Sequence, residues 1–219
     1  IYAAPEHTIR DITIRGNYYE GDPDIDDLTR EFRSNLNFIS TDRQDGIRTV
    51  QIYNNIFAFP SSTSVMYEGG EDFYFFNNTF YSFNMSVPNL TAHTYGSSYY
   101  GLFPRRIFIF NNVFYNDAVE GTGNCNDQGN CIRSCMKIDD VDRAGHYIDY
   151  NLYYGPNSFA RLLWENRGTS RNIDEFGEHQ SSTGFLEVGG SSSPDTNSPT
   201  PADPGFTDSR SGLLSPPAY

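Results

Sequence analysis

The chain has 219 residues, of which 37% are apolar and 16% aromatic, so it can bury the core of one elongated domain. Its 28 acidic residues outnumber its 15 basic ones, and the formal net charge of −13 argues against binding to nucleic acid or to anionic membrane surfaces. No apolar run approaches the length of a spanning helix, so the sequence predicts no membrane span.

A short pattern recurs along the chain around five asparagines. Each has an apolar residue three positions before it and an aromatic residue two positions after it, as Ile109 and Phe114 flank the second asparagine of FIFNNVF. The five are Asn17, Asn55, Asn78, Asn112 and Asn151, at intervals of 38, 23, 34 and 39 residues. Self-similarity on this scale predicts a solenoid with a repeat near the shortest interval, lengthened elsewhere by inserted loops.

The repeat alternates in the manner of β-strands. Ile107 and Ile109 precede the asparagine pair and Phe114 follows it, which indicates period-two stretches on either side of a bend. Asparagine tolerates the left-handed backbone of a tight bend, and its amide both donates and accepts hydrogen bonds. Coils stacked at the strand spacing of about 4.8 Å would therefore join these amides in an asparagine ladder beside continuous apolar columns.

This pattern resembles the right-handed parallel β-helix superfamily, the fold of pectate and chondroitin lyases and of polygalacturonases. The resemblance covers Ile9 to about Tyr154 and extends to the final stretch DPGFTDSRSGLLSPPAY. It implies an all-β, right-handed parallel β-helix with loop insertions and a looser C-terminal region. We expect the β-helix domain over residues 1–190, and a Ser/Thr/Pro-rich strap and closing stretch packed on it over residues 191–219.

An acidic insertion, GDPDIDD, follows the first repeat. Its carboxylates could gather oxygen ligands for calcium, the one cofactor that the sequence suggests. The candidate ligands are Asp22, Asp24, Asp26 and Asp27. The stretch lacks the glycine and the distal glutamate of an EF-hand loop, and the alternative interpretation is an exposed acidic loop.

Glycosylation signals and cysteines favour an extracellular or cell-surface protein. Sequons for N-glycosylation begin at Asn77, Asn84 and Asn89. One polar stretch, GTGNCNDQGNCIRSC, carries Cys125, Cys131 and Cys135. We expect one local disulfide there with one cysteine left over, because three cysteines without a nearby histidine make a poor zinc site.

Candidate catalytic residues lie in KIDDVDRAGH. They are Asp139, Asp140, Asp142 and His146. In a strand, Asp140 and Asp142 would project from one face about 6.5 to 7 Å apart, at the near edge of the range for an inverting glycosidase pair. Polygalacturonases likewise carry paired aspartates and a Gly-His on their β-helix. The alternative is a solvated strand face, and the arginines, Arg105 and Arg106 among them, are expected to pair with the surplus of acids.

Two classes of function stay open. The first is a non-enzymatic, glycosylated structural or surface β-helix. Because strand-like IYAAPEHTIRDITIRGN starts the chain without a capping helix, we expect bare end coils, which could stack head to tail as the protomers of a filament. The second is a carbohydrate-active enzyme, either a polysaccharide lyase or a glycoside hydrolase, or a fragment of one, that acts on an acidic polysaccharide. The partners expected are therefore further copies of this chain, and glycans attached or bound.

Overall fold

The computed structural model describes residues 1–3, 7–20, 36–40, 46–58, 65–82, 90–93, 105–116, 136–139, 146–154, 162–166, 169–173, 176–181, 194–202 and 204. Within these ranges the regular structure consists of seventeen strands and one short helix. The protein is therefore all-β, and its sheets are built almost entirely from parallel pairs, which is compatible with a β-helix-like fold.

The chain visits three sheets in turn. The first sheet contains β1 (Tyr2–Ala3), β4 (Leu36–Ser40), β7 (Val65–Glu68), β10 (Leu90–His93), β13 (Met136–Asp139), β16 (Leu162–Asn166) and β17 (Thr169–Ile173). The second contains β2 (Ile9–Arg15), β5 (Ile47–Tyr53), β8 (Glu71–Phe76), β11 (Arg105–Phe110) and β14 (Tyr147–Asp149). The third contains β3 (Tyr18–Glu20), β6 (Ile56–Ala58), β9 (Thr79–Ser82), β12 (Val113–Asn116) and β15 (Leu152–Tyr154).

Three consecutive strands, one from each sheet, make one coil, and five such coils follow one another from β1 to β15. Each strand pairs in parallel with the equivalent strand of the next coil, for example β8 with β11. The first coil, β1 to β3, lies at the edge of all three sheets and is called the head coil. The fifth, β13 to β15, is called the tail coil.

The core lies between the sheets and is built from columns of side chains that repeat from coil to coil. One column on the second sheet consists of Ile14, Ile52, Phe75, Ile109 and Ile148, joined by strand register. A second, on the third sheet, consists of Tyr19, Phe57, Phe80, Phe114 and Tyr153, with neighbouring ring centroids 4.8, 5.0, 4.9 and 5.4 Å apart. Burial of these columns drives the stacking, because it removes large aromatic and branched surfaces from water.

At the bend between the second and third sheets, the two consecutive asparagines of a repeat differ in backbone conformation and in side-chain role. The first asparagine takes the left-handed conformation, with φ of 55° at Asn54, Asn77 and Asn111. Gly16 and Tyr150 occupy the same position in the head and tail coils, with φ of 66° and 59°. The second asparagine is the one whose side chain turns into the stack.

Of residues 155–190, where a looser region is expected, the structure describes 162–166, 169–173 and 176–181. Strand β16 continues the first sheet beyond β13, and β17 returns antiparallel to it. A short helix, α1 (Phe176–Gln180), follows. Of the expected strap, residues 194–202 and 204 are described, and Asp195 N donates to Ile148 O at 2.7 Å, so this part lies against the tail coil.

Candidate functional site at the ends of the ladder

The five repeat asparagines form one stack of amides. Each Nδ2 donates to the Oδ1 of the next coil's asparagine, at 3.0 Å from Asn17 to Asn55 and at 3.1 Å for the pairs Asn55–Asn78, Asn78–Asn112 and Asn112–Asn151. In each of the first four ladder asparagines, the backbone N–H also donates to the Oδ1 atom that accepts the side-chain amide, at 3.0 to 3.1 Å. All of these bonds run in one direction, from the head coil towards the tail coil.

In the second to fifth coils, the amide nitrogen Nδ2 also ties the ladder asparagine to the coil before it. Asn55 donates to Ile14 O at 3.0 Å and Asn78 donates to Ile52 O at 2.8 Å, and the two later ladder asparagines repeat this bond. The accepting carbonyl belongs in each case to the residue three positions before the preceding ladder asparagine. Because donors and acceptors are matched, the amides can be buried without the cost of unpaired polar groups.

At the tail coil the ladder ends on a carboxylate. Asn151 Nδ2 donates to Asp195 Oδ1 at 3.0 Å, and its backbone N–H donates to Ser198 Oγ at 2.7 Å. Asp195 Oδ2 accepts the Tyr153 hydroxyl at 2.7 Å and lies 2.6 Å from His179 Nε2. A carboxylate only accepts, so it terminates a run of donors, and its negative charge faces the positive end of the aligned amide dipoles.

Three further hydrogen bonds fix the segment that carries this carboxylate. We call residues Pro194–Ser198 the capping segment. Asn197 donates from its backbone N–H and its Nδ2 to the two oxygens of Asp149, at 2.8 and 2.7 Å. Gln180 Nε2 donates to the Asp195 carbonyl at 2.8 Å, and the ring of Phe176 lies 6.1 Å from that of Tyr153. The bare end expected at the tail coil is therefore covered, by the capping segment, α1 and the hairpin of β16 and β17.

The cluster at the tail coil is buried and hydrogen-bonded within itself. Asp195 and His179 both have 0% exposure, and both oxygens of the carboxylate are engaged by side chains of the cluster. A general acid or base needs access to a substrate proton within hydrogen-bond reach. The cluster closes the ladder and leaves no such access.

At the head coil, no hydrogen bond from a described residue ends the ladder. Asn17 is exposed, and its Oδ1 accepts no hydrogen bond from any residue that the structure describes. An open groove of about 740 Å³ adjoins this oxygen, lined by Thr13, Ile14, Arg15, Asn17, Tyr19 and Tyr53. Partial burial in this groove raises the pKa of Tyr19.

A row of charged residues runs over the outer face of the second sheet. Arg106 contacts both oxygens of Asp72, at 2.6 and 2.7 Å, and one oxygen of Glu71 at 3.1 Å. Arg48 contacts the other oxygen of Glu71 at 2.9 Å. The hydrogen bonds to Asp72 raise the pKa of Arg106 above its ordinary value. These arginines are thus engaged with acids.

Two residues of this row, Asp72 and Arg106, belong to a column of strained backbone on the same sheet. Asp11, Thr49, Asp72 and Arg106 have φ between 52° and 61°, and their chain neighbours pair in register from coil to coil. None is glycine, and Thr49 is β-branched, so the column carries a conformational cost. Stacking of the coils holds all four residues in place.

Tyr67 lies behind this row with an unsatisfied hydroxyl. Its Oη is buried and has no hydrogen-bond partner among the described residues. Burial raises the pKa of the Tyr67 phenol well above its ordinary value, and the negative charges of Asp72 and Glu71 raise it further. The hydroxyl packs against Gly70, where an added Cβ would lie 2.4 Å from Oη.

The predicted site residues have different outcomes. His146 is fully buried, and its Nδ1 accepts the backbone N–H of Ile107 at 3.2 Å, so the ring belongs to the core rather than to an outer strand face. Asp139 ends β13, and Asp140 and Asp142 lie outside the described residues. Asn77 is exposed at its bend. Also outside the described residues are Asn84, Asn89, Asp22, Asp24, Asp26, Asp27, Cys125, Cys131 and Cys135.

The residues that end the ladder were not found from the sequence. Asp195 stands in SPDTNSP, a composition typical of turns, and it reaches Asn151 across 44 residues of chain. Asp195 ends the ladder only through that distant contact, and no local sequence pattern predicts the contact. His179 gave no signal either, since it follows an acidic stretch that resembles a solvated loop.

In the described part of the chain no three His, Cys, Asp or Glu side chains are grouped to hold a metal ion, and no helix there has the length and apolar content to cross a membrane. Comparison with known proteins gives no relative. No family model matches the chain, and no curated protein and no solved structure matches it either.

Proposed function

We propose that this chain is a right-handed parallel β-helix that serves as a non-catalytic structural module at the cell surface or outside the cell. The order in which the chain visits its three parallel sheets supports the β-helix. Crossover connections between parallel strands are right-handed in about 98% of cases, which supports the handedness.

The ladder and its terminus are the observation that carries the proposal. Every ladder amide joins one coil to the next, and the buried Asp195 carboxylate closes the series at the tail coil. Buried polar groups are expensive unless they are fully paired. A chain that commits its buried polar side chains to joining and ending coils is organised around holding a stack together.

An extracellular setting is supported by the sequon at Asn77. This side chain is exposed on the outside of a bend, where an attached glycan would meet solvent, while the neighbouring Asn78 is buried in the ladder. Expression through a secretory pathway, followed by enzymatic removal of N-glycans, should lower the mass of the wild-type chain. Asn77→Gln should lower that mass change by one glycan, and an unaltered change would remove this support.

The structural proposal is tested by assaying purified protein on a panel of acidic polysaccharides, with calcium and with a chelator. We expect the protein to release neither reducing ends nor unsaturated products. Cooperative unfolding of the same sample serves as the check that the protein is folded. Depolymerisation by the wild type that Asp140→Asn or Asp142→Asn abolishes would overturn the proposal.

A second candidate function, a lyase or hydrolase acting on an acidic polysaccharide, is favoured by one observation. The charged row on the second sheet places Arg48, Glu71, Asp72 and Arg106 together on an outer face. Asp72 and Arg106 also have strained backbone, which is often retained at functional sites. In the same assay, an activity that Asp72→Asn removes would select this candidate.

Assembly is measured in parallel by light-scattering mass. The predicted head-to-tail filament would require the covering of the tail coil to be displaced, so we propose a single module. A series of masses in multiples of 24.8 kDa would select the filament.

A further inference from the structure

We infer that the tail coil and α1 form a peptide-binding site, whose ligand is a turn with the sequence Asp-x-Asn-Ser. The occupant in this structure is the chain's own capping segment, and a free peptide of the same sequence should bind in its place. Such recognition of a peptide goes beyond the proposed structural role.

The site recognises a carboxylate at the first position of the turn. Asn151 Nδ2 donates to one oxygen of Asp195 at 3.0 Å. The Tyr153 hydroxyl donates to the other oxygen at 2.7 Å, and His179 Nε2 lies 2.6 Å from it. All of these side chains are fully buried. An amide in place of the carboxylate would set its own N–H groups against a donor, so the site selects aspartate over asparagine.

The backbone of the turn narrows the choice of residue further. Asp195 has a φ of 49°, in the left-handed region that glycine, asparagine and aspartate adopt most readily. Of these three residues, aspartate alone carries a carboxylate. Ser198 N donates to Asp195 O at 3.1 Å, and Ser198 Oγ donates to Asp195 Oδ1. These two internal bonds preorganise the turn, which lowers the entropy cost of binding.

The second recognised position is the asparagine two residues later. Asn197 donates from its backbone N–H and its Nδ2 to the two oxygens of Asp149, at 2.8 and 2.7 Å. An aspartate at position 197 would lose the side-chain donor and bring a second negative charge against Asp149. Thr196, between the two positions, is exposed and is the x of the motif. The site therefore distinguishes Asp-x-Asn from Asn-x-Asp, although the two have the same composition and charge.

The capping segment is held as a ligand rather than as another strand. Its residues form a turn, and a backbone bond from Asp195 N to Ile148 O, at 2.7 Å, joins it to β14. The bonds that recognise the carboxylate and the asparagine all use a side chain of the site. Recognition by side chains depends on the sequence of the turn and not on its connection to the chain. The same turn should therefore bind when it is supplied separately.

The binding experiment uses a full-length variant whose own segment no longer fits the site, Asp195→Asn combined with Asn197→Asp. The probe is a fluorescently labelled peptide of residues 193–202, SPDTNSPTPA. The control peptide carries the same two exchanges. In fluorescence anisotropy the variant chain should bind the probe with 1:1 saturation. It should bind the control peptide at least about tenfold more weakly, because only the probe satisfies the buried donors and Asp149.

The wild-type chain is the matched comparison for this variant. Its own segment occupies the site at an effective concentration of roughly millimolar order, so it should bind the probe at least about tenfold more weakly than the variant does. A folded variant that binds neither peptide, or that binds both equally, would overturn the inference. Equal binding of the probe by the wild type and the variant would overturn it too, since the probe would then occupy another surface.

Hydrogen exchange in the wild-type chain tests the inference without any variant. If the segment is a separable ligand, the backbone amides of Asn151, Asp195 and Asn197 should exchange through one shared opening. That exchange should be at least about tenfold faster than at the ladder amide of Asn78, and low urea should hardly change it, because little surface is exposed. Exchange of all four amides by global unfolding alone would overturn the inference, even where the exchanged variant does not fold. Neither measurement involves a polysaccharide, so the inference and the proposed function fail separately.

Discussion

Asn151 donates from Nδ2 to Asp195 Oδ1 at 3.0 Å, across 44 residues of chain, and this bond gives the asparagine ladder a charged terminus. The two ends of the stack are consequently unlike. The tail coil meets an acceptor-only group that ends the run of donors, whereas at the head coil Asn17 Oδ1 accepts no hydrogen bond from the residues that the structure describes. Exposed strand edges invite further pairing, and at the tail coil the capping segment covers the end of the ladder.

Removing the charged terminus should weaken the fold. Asp195→Leu leaves the donors of Asn151, Tyr153 and His179 without their acceptor, so we expect the free energy of unfolding to fall by roughly 3 to 5 kcal/mol. Chemical denaturation measures this loss. Thr200→Ala, an exposed change near the same segment, should cost less than about 0.5 kcal/mol. Equal effects of the two changes would contradict the role assigned to Asp195.

Breaking the ladder in the middle is a second test, with a control one residue away. Asn78→Leu leaves two Asn55 donors without their acceptor and removes one of the two donors to the Asn112 oxygen, and should cost roughly 2 to 5 kcal/mol. Asn77→Gly keeps the left-handed bend and removes only an exposed side chain, so it should cost less than about 1 kcal/mol. Comparable midpoints for the two variants in urea would show that the ladder is not stabilising.

The asparagine repeat was readable from the sequence because each coil presents the same residue at the same local position, and the bends Asn54, Asn77 and Asn111 adjoin it. The first-sheet strands were harder. LNFIS, VMYE, LTAH and MKID share no motif, and they are strands because neighbouring coils pair with them. Their pairing is a property of the stack rather than of any segment.

The strained row was not predictable for the same reason. Asp11, Thr49, Asp72 and Arg106 have no residue type in common, and only their register places them in one left-handed column. His146 shows the opposite case. It stands two residues before Ile148, the inward position of the same alternation, so the period-two pattern could have assigned it to the core instead of to a catalytic face.

The buried hydroxyl of Tyr67 predicts an alkaline loss of stability. The folded state holds the phenolic proton above pH 10.0, the ordinary pKa, while the unfolded state releases it. Stability is therefore full below that pH and falls as pH rises above it, by up to about 1.4 kcal/mol per pH unit from this group. Tyr67→Phe should lack this component and should also gain roughly 1 to 3 kcal/mol at neutral pH, because an unsatisfied hydroxyl is removed.

The measurement is urea unfolding at a series of pH values for the wild type and for Tyr67→Phe. Tyr18→Phe, at a side chain that is 48% exposed, serves as the control and should follow the wild type. The assignment would be wrong if the wild-type and Tyr67→Phe curves stayed parallel above pH 10.0.

The turn between β7 and β8 should not accept a side chain at Gly70. A Cβ there would lie 2.4 Å from Tyr67 Oη and 2.8 Å from Ile47 O, at a φ of 81°. We expect Gly70→Ala to cost roughly 2 to 4 kcal/mol. Gly16→Ala has a φ of 66° with nothing within 4 Å, so it reports the backbone cost alone, about 1 to 2 kcal/mol. Thermal unfolding that ranks Gly16→Ala as the more damaging change would refute the steric explanation.

Relief of strain at Thr49 should stabilise the protein. Its φ of 53° is unfavourable for a β-branched residue, at a cost of about 1 to 3 kcal/mol, and glycine adopts this conformation freely. Thr49→Gly adds about 0.5 to 1 kcal/mol of backbone entropy, so the free energy of unfolding should rise by about 1 kcal/mol. Thr13→Gly is the matched change at an exposed strand position outside the left-handed column, and it should lower stability by a similar amount. A rise in the free energy of unfolding for Thr49→Gly and a fall for Thr13→Gly would show that the left-handed backbone at Thr49 is strained. If both substitutions lowered the free energy of unfolding, Thr49 would carry no such strain.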